Sequence, residues 1–144
     1  MQILKSLVFA LAILLVALPK FSALEASEGQ AAAAIRLVIE QQLAAFQRDD
    51  GAEAFSYAAP GIQRRFQTPE IFMQMVRSGY APVYRPREVE FRELRVNGQT
   101  IQQEVLFVGP DGKPVLALYT MQQQPDGSWR IAGVILLKAP DASV

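Results

Sequence analysis

The chain contains no cysteine and no histidine. Without cysteine it cannot form disulfides, use a thiol nucleophile or carry a lipid on an N-terminal cysteine. Without histidine it lacks imidazole acid/base chemistry and the commonest zinc ligand. We therefore predict no metal site and no cofactor. Any activity has to rest on carboxylates, arginines, tyrosines and hydroxyls.

Several sequence motifs are also missing. The glycine-rich patterns G-x-x-x-x-G-K-[ST] and G-x-G-x-x-G do not occur, and neither does G-x-S-x-G, which disfavours nucleotide binding and hydrolase chemistry. The 14 Lys and Arg residues balance the 14 Asp and Glu residues. A neutral chain without basic runs does not attract nucleic acid, so no nucleic-acid partner is predicted.

The first 26 residues predict a secretory signal peptide. An apolar run at residues 6–18 lies between Lys5 and Lys20, and small residues around Ala23 and Ala26 follow it. This run is shorter than the roughly 20 residues that a membrane-spanning helix requires. We therefore expect cleavage near Ala26 and a periplasmic or secreted protein. An uncleaved N-terminal anchor, which would bring membrane contact, is the alternative.

Residues 27–144 predict a single α+β domain. The mature chain would have 144 − 26 = 118 residues, a usual size for one domain. It buries somewhat more than about 60% of its unfolded surface, enough for a core without disulfides. Ten of its 12 basic residues are arginines, which suit bidentate contacts with carboxylates or phosphates. Surface ion pairs are the alternative explanation.

Three helices are predicted in the first half. Apolar residues recur at spacings of three and four from Ile35 to Phe46, as on one face of a helix. Pro60-Gly61 is expected to break the second helix. Thr68-Pro69-Glu70 supplies an N-cap, a proline at the first helical position and an early carboxylate for the third. The predicted helices cover residues 30–49, 52–58 and 69–78, and an extended linker follows at residues 80–86.

Four strands are predicted in the second half, because it is rich in β-branched and aromatic residues. Short turn sequences separate them, namely Asn97-Gly98, Pro110-Asp111-Gly112 and Pro125-Asp126-Gly127. Such short connections join antiparallel neighbours. We therefore expect three N-terminal helices packed on a curved four-stranded antiparallel meander, with strands at residues 88–96, 101–108, 115–123 and 128–138.

The last strand is apolar on both faces. We expect the helices to cover the side that carries Trp129, Ile131, Gly133, Ile135 and Leu137. Val134 and Leu136 would then lie on the other side, where an apolar surface also needs cover. A homodimer packed through the outer face of the sheet is predicted on this basis. Trp129 is expected to be a core or interface anchor.

Several short motifs resemble an uncharacterised exported bacterial family. They are Gln42-Leu43-Ala44-Ala45-Phe46, Asp49-Asp50-Gly51, Ala54-Phe55-Ser56-Tyr57-Ala58, Pro82-Val83-Tyr84-Arg85-Pro86-Arg87 and Pro125-Asp126-Gly127-Ser128-Trp129. Over about residues 35–137 the chain is similar to the domain of unknown function 4864. Its order of elements resembles the nuclear transport factor 2-like, cone-shaped fold of the cystatin-like superfamily. The resemblance implies a fold and an exported location, but the family carries no assigned activity.

The aromatic candidates for a ligand site are tyrosines. A small-molecule site is usually an apolar, aromatic pocket with a few polar groups. The alternative for each ring is packing between helix and sheet, with the hydroxyl at the rim. The tyrosines that could line a pocket are Tyr57, Tyr80, Tyr84 and Tyr119.

Arg85 and Arg87 complete the set of candidate ligand-binding residues. They flank Pro86 in a stiff segment and could hold a carboxylate or phosphate of a ligand. Alternatively, they pair with Asp49 or Asp50 and fix the first helix to the linker.

Enzymes of the wider fold, such as ketosteroid isomerases, dehydratases and polyketide cyclases, use an acid/base pair inside the cone. Without histidine, this chain would need a buried carboxylate of raised pKa beside a tyrosine. Capping and strand-edge pairing explain the available carboxylates as well; these are Asp49, Asp50, Glu53, Glu88 and Glu90. We therefore assign no catalytic residue.

We expect a non-catalytic domain that binds a small apolar or anionic molecule or a protein partner. An isomerase- or dehydratase-like enzyme and a structural dimer without a pocket are the alternatives.

Overall fold

The computed structural model describes residues 21–140, which form five helices followed by four strands. The helices are α1 (Phe21–Gln47), α2 (Gly51–Ser56), α3 (Pro60–Phe66), α4 (Pro69–Gly79) and α5 (Ala81–Tyr84). The strands are β1 (Glu88–Asn97), β2 (Thr100–Val108), β3 (Pro114–Gln123) and β4 (Trp129–Lys138). The α+β class is confirmed. Residues 1–20 of the predicted leader lie outside the described residues. Within the described range, no helix has the length and apolar character needed to cross a membrane.

Helix α1 begins at Phe21, earlier than the predicted residue 30, because apolar periodicity detects only the part of a helix that packs. Residues 23–30 are exposed, and the buried face begins at Ile35. At the other end, Asp49 adopts a left-handed φ of 54°. The Asp50 N–H bonds to the Ala45 carbonyl at 2.9 Å and the Asp49 N–H to the Phe46 carbonyl at 3.1 Å. This is a Schellman C-cap, in which aspartate takes the position usually occupied by glycine.

The prediction of three helices is wrong for residues 21–140, because two further helices, α3 and α5, carry a proline in their first turn. The second predicted helix was expected to end at Pro60, and a new helix, α3, begins there. A proline at the first helical position gives up an N–H that needs no helical partner, and Ala59 before it is extended. Pro82 likewise lies in the first turn of α5, which replaces the expected extended linker. The third predicted helix is confirmed as α4, with Thr68 as its N-cap.

The sheet is an antiparallel meander with strand order β1-β2-β3-β4, as predicted. Its register is interrupted twice. In β1, Arg92 and Glu93 together oppose one residue of β2, and in β4 Ala132 is an extra residue opposite β3. Side chains alternate between the two faces of a strand, so the extra residue at Ala132 reverses the facing of everything after it.

This reversal corrects the predicted faces of β4. On the inner face, which the helices cover, the bulge places Val134 beside Tyr119 of β3 and Leu136 beside Ala117. Ile135 and Leu137 point instead to the outer face, where they are 56% and 42% exposed. Strict alternation gave the opposite facing, because composition alone does not reveal a bulge.

The segment between α2 and α3 attaches the helices to the edge of β4. The Ile131 N–H bonds to the Tyr57 carbonyl at 2.9 Å, and the Ala59 N–H bonds to the Ile131 carbonyl at 2.8 Å. These two bonds satisfy backbone groups that an edge strand otherwise exposes. They also fix the helices that surround the inner face.

Candidate functional site

A small apolar cavity lies between the helices and β4, with a volume of about 60 Å³. Ligand sites for drug-sized molecules are usually about 300–1,000 Å³, so this cavity accommodates a group of only a few atoms. Side chains from α1, α3, α4, α5 and β4 form its walls: Gln42, Phe46, Ala58, Ile62, Phe72, Val76, Tyr80, Val83, Ile131 and Val134. No carboxylate lines the cavity within residues 21–140.

Gln42 and Tyr80 contribute the polar groups of the cavity wall. The Gln42 side chain is buried, and its Nε2 donates to the Ala54 carbonyl at 3.1 Å. The half-buried Tyr80 donates its hydroxyl to the Val134 carbonyl at 3.1 Å. Both bonds join elements that border the cavity, so the polar atoms hold the wall together and leave an apolar interior.

A second cluster connects the ends of α1, α4 and α5. Arg85 Nη1 donates to the Phe46 carbonyl and Arg85 Nη2 to Asp49 Oδ2, each at 3.0 Å. The Tyr84 hydroxyl donates to Asp49 Oδ1, and the Arg85 guanidinium lies 4.4 Å from the centroid of the Tyr84 ring. The carbonyls of the last helical turn need such external donors, so Arg85 caps α1 and fastens it to α5.

The electrostatics of this cluster stabilise an ionised carboxylate. The hydrogen bond from Tyr84 and the positive charges of Arg85 and Arg77 lower the pKa of Asp49. A general base working near neutral pH needs a pKa raised toward neutrality instead. Asp49 beside Tyr84 has the composition expected for isomerase-like chemistry, but its lowered pKa and its arginine partners fit a structural pair.

Arg87 contacts a different part of the molecule. Its backbone N–H donates to the Val108 carbonyl at 2.8 Å, and its guanidinium lies against Gly112 in the turn between β2 and β3. Arg85 reaches the end of α1. The two arginines therefore attach to separate elements and do not converge on one point.

The remaining tyrosine candidates also have separate environments. The Tyr57 hydroxyl donates to Glu53 at 3.1 Å, and burial together with this neighbouring carboxylate raises the pKa of Tyr57. Tyr119 is completely buried, with its ring centroid 6.4 Å from that of Phe107. Its hydroxyl has no hydrogen-bond partner among the described residues, and burial raises the Tyr119 pKa. Of the six sequence candidates, Tyr80 alone lines the cavity.

The carboxylates considered for catalysis have structural partners or lie on the strand edge. Asp50 caps α2, because its Oδ1 accepts from the Glu53 N–H at 3.0 Å. Glu90 pairs with Arg92 at 3.3 Å at the exposed edge of the sheet, and Glu88 is exposed at the start of β1. Among the carboxylates of residues 21–140, the buried one is Glu104, which lies 2.6 Å from Arg95.

The outer face of the sheet carries a group of aliphatic side chains that we name the outer patch. The strand register places them in two adjacent rows across β2, β3 and β4. Exposed apolar groups of this kind mark interaction surfaces. The outer patch consists of Leu106, Leu116 and Leu137 in one row and Leu118 and Ile135 in the next.

Sequence reasoning found Tyr80 but missed the rest of the cavity wall. It predicted an apolar outer face of the sheet but assigned Val134 and Leu136 to it instead of Ile135 and Leu137. Gln42 offered one signal, because a polar residue interrupts the apolar face of α1. Ile135 and Leu137 offered none, since their facing depends on the bulge at Ala132.

Comparison with known proteins identifies a family for this chain. Residues 28–144 match a family model described as a domain of unknown function (DUF4864), and the chain therefore belongs to this family. No curated protein and no solved structure matches it. The family membership supplies no activity for the cavity or the outer patch.

Proposed function

We propose that this protein is a non-catalytic binding domain that works as a homodimer through the outer face of its sheet. The outer patch is the observation that carries the proposal. Ile135 and Leu137 remain 56% and 42% exposed there. Fully burying such a side chain contributes about 1.5–3 kcal/mol, so covering the exposed half contributes about 1 kcal/mol for each residue. Two copies of each residue take part in a symmetric dimer.

The small interior volume also favours a role in dimer assembly rather than a role in holding a ligand. A cavity of about 60 Å³ leaves room for only a few atoms. Arg85, one of the two arginines considered for an anionic ligand, is engaged elsewhere, because it binds Asp49 and the end of α1. The isomerase-like alternative needs a buried, unpaired carboxylate that faces a tyrosine. Glu104 lies on the outer face beside Arg95 and does not meet that requirement.

We further propose a nuclear transport factor 2-like cone for the fold and export for the protein, with residues 1–26 removed. The sequence of helices followed by a four-stranded meander supports the first proposal. The apolar run between Lys5 and Lys20 supports the second. Both are open to direct measurement, the export proposal by the N-terminal sequence of the protein recovered from its host.

Sedimentation of the purified protein tests the dimer. Wild type is expected to be dimeric at micromolar concentration, and the Ile135→Asp variant monomeric, because each interface would bury two unpaired carboxylates. Ile71→Asp is the matched control, since Ile71 is 47% exposed on α4, away from the sheet. A monomeric wild type, or an Ile135→Asp variant that stays as dimeric as the control, would overturn the proposal.

The apolar cavity favours a second candidate function, the binding of a small apolar group between α1, α4 and β4. Native mass spectrometry of protein purified gently from its host tests it. The expected result is a bound molecule that the Ala58→Leu variant loses, because the larger side chain fills the cavity. A ligand-free wild type would count against this candidate and leave the dimer proposal unaffected.

A further inference from the structure

The net charge along the outer side of β1 changes from negative to positive, and this change indicates how two outer faces would meet. Two acidic residues, Glu88 and Glu90, stand at the start of the strand. Its second half carries Arg92, Glu93 and Arg95, with Glu93 3.7 Å from Arg95, and is net positive. Glu90 lies opposite Leu106, and Arg95 lies opposite Gln102. This charged column therefore borders the outer patch along its whole length.

Two identical sheets that pack face to face are related by a two-fold axis that lies in the interface. If this axis ran along the strands, β4 of one protomer would cover β1 of its partner. Ile135 and Leu137 would then press on the charged side chains of Glu90 and Arg92. Covering charges with aliphatic groups costs their solvation without supplying a partner, so this arrangement is unfavourable.

If the axis instead crosses the strands, each strand covers its own copy in antiparallel orientation. Leu137 then meets the partner's Ile135, and Leu116 meets the partner's Leu118, so apolar surface covers apolar surface on β3 and β4. On β2, Leu106 covers the partner's Glu104, a single charge that Arg95 already pairs. Along β1 the same operation reverses the order of charges. Glu90 meets the partner's bulge, which carries Arg92 and Glu93, and Glu88 meets the partner's Arg95. The negative start of one strand therefore faces the net positive half of the other.

We infer that the domain forms an isologous dimer whose two-fold axis crosses the strands between the two rows of the outer patch. The inference rests on the proposed homodimer and adds its geometry and the residues that select it. Arg92 and Arg95 already contact carboxylates of their own chain. Each guanidinium has five N–H donors, so both retain donors for a partner. Glu104 is the β2 residue of the second row, between Leu118 and β1, and Arg95 at 2.6 Å compensates its charge when the interface closes.

Charge reversal tests this geometry, with sedimentation as the measurement. Glu90→Arg places two arginines together in the homodimer, and Arg92→Glu places two glutamates together. Each variant alone is expected to dimerise at least tenfold more weakly than wild type. An equal mixture of the two is expected to recover wild-type affinity as a heterodimer, because both contacts between positions 90 and 92 again join opposite charges. No recovery in the mixture would overturn the inferred axis.

A second experiment uses the absence of cysteine, since any introduced thiol is the sole one in the chain. Packed sheets lie about 10 Å apart and neighbouring strands about 4.8 Å apart. With the axis across the strands, the Ile135→Cys and Leu137→Cys variants, when mixed, are expected to be joined by a bis-maleimide that spans about 10 Å. With the axis along the strands, the two β4 strands would lie about 17 Å apart, and Leu137→Cys would instead be joined to Glu90→Cys, which lies in the same row. That second pattern would overturn the axis but keep the homodimer. A monomeric wild type would overturn the proposed function itself.

Discussion

The buried hydroxyl of Tyr119 makes an unusual prediction, namely that removing a polar group from the core stabilises the protein. Tyr119 is 0% exposed, and its hydroxyl has no hydrogen-bond partner within the described chain. A buried polar group without a partner costs about 1–3 kcal/mol of folding free energy. Tyr119→Phe keeps the ring against Phe107 and removes only the hydroxyl. We expect the free energy of unfolding to rise by about 1–2 kcal/mol, within that range.

The assay is urea unfolding followed by the fluorescence of Trp129, the single tryptophan of the chain. The midpoint urea concentration should rise while the slope stays unchanged, because the substitution alters stability and not the exposed surface. For a domain of this size, 1 kcal/mol corresponds to about 4 °C in the melting temperature. Tyr119→Phe should therefore melt about 4–8 °C higher than wild type.

Tyr80→Phe is the matched control, because the Tyr80 hydroxyl donates to the Val134 carbonyl at 3.1 Å. Losing that bond should lower stability by about 1 kcal/mol. The two identical chemical changes are thus expected to act in opposite directions. A Tyr119→Phe variant that is less stable than wild type would refute the reasoning, since it would mean that the buried hydroxyl has a partner.

Three further predictions concern the helix ends. Gln67 forms a γ-turn with a φ of 65° and a ψ of −44°, a conformation that strains any residue with a Cβ. Gln67→Gly should therefore raise the unfolding free energy, measured by urea titration, by about 1 kcal/mol. A loss of stability would contradict this. Arg85→Ala should cost about 1 kcal/mol by removing the cap on α1, whereas Arg87→Ala, away from that cap, should change stability less. Asp49→Asn should be less stable than wild type near pH 6. Because folding lowers the pKa of Asp49, the stability difference between wild type and variant is fully present above the unfolded pKa of about 3.9, and it disappears as the pH falls below the folded pKa. The urea midpoints of the two proteins should therefore differ at pH 6 and approach each other at pH 2.

The cluster at the end of α1 shows what can be derived from residue types and what cannot. Arginine on a stiff proline segment predicted contacts of fixed geometry, and pairing with Asp49 was one of two alternatives. Sequence could not choose between them, because the choice depends on which helix end lies within reach of Arg85. In the folded chain the nearest acceptors are Asp49 and the Phe46 carbonyl.

The helices at Pro60 and Pro82 show a second limit. Proline disfavours helix before it and permits helix after it, so the same residue predicts a break or a beginning. The contacts of the following residues decide between these outcomes. Ile62 and Val83 both line the cavity, and burying their side chains stabilises the short helices that carry them.

The amino-acid sequence by itself determined the α+β class, the antiparallel meander and the boundaries of α4. These features depend on interactions between residues close in the chain, such as capping at Thr68, turns at Asn97-Gly98 and alternation in β2. Tertiary structure alone decided the face on which Ile135 and Leu137 lie, the size of the cavity and the partners of Arg85. Each of these depends on the packing of segments distant in sequence. A single extra residue at Ala132 reverses the facing of the strand end, because side chains in a strand alternate with a period of two.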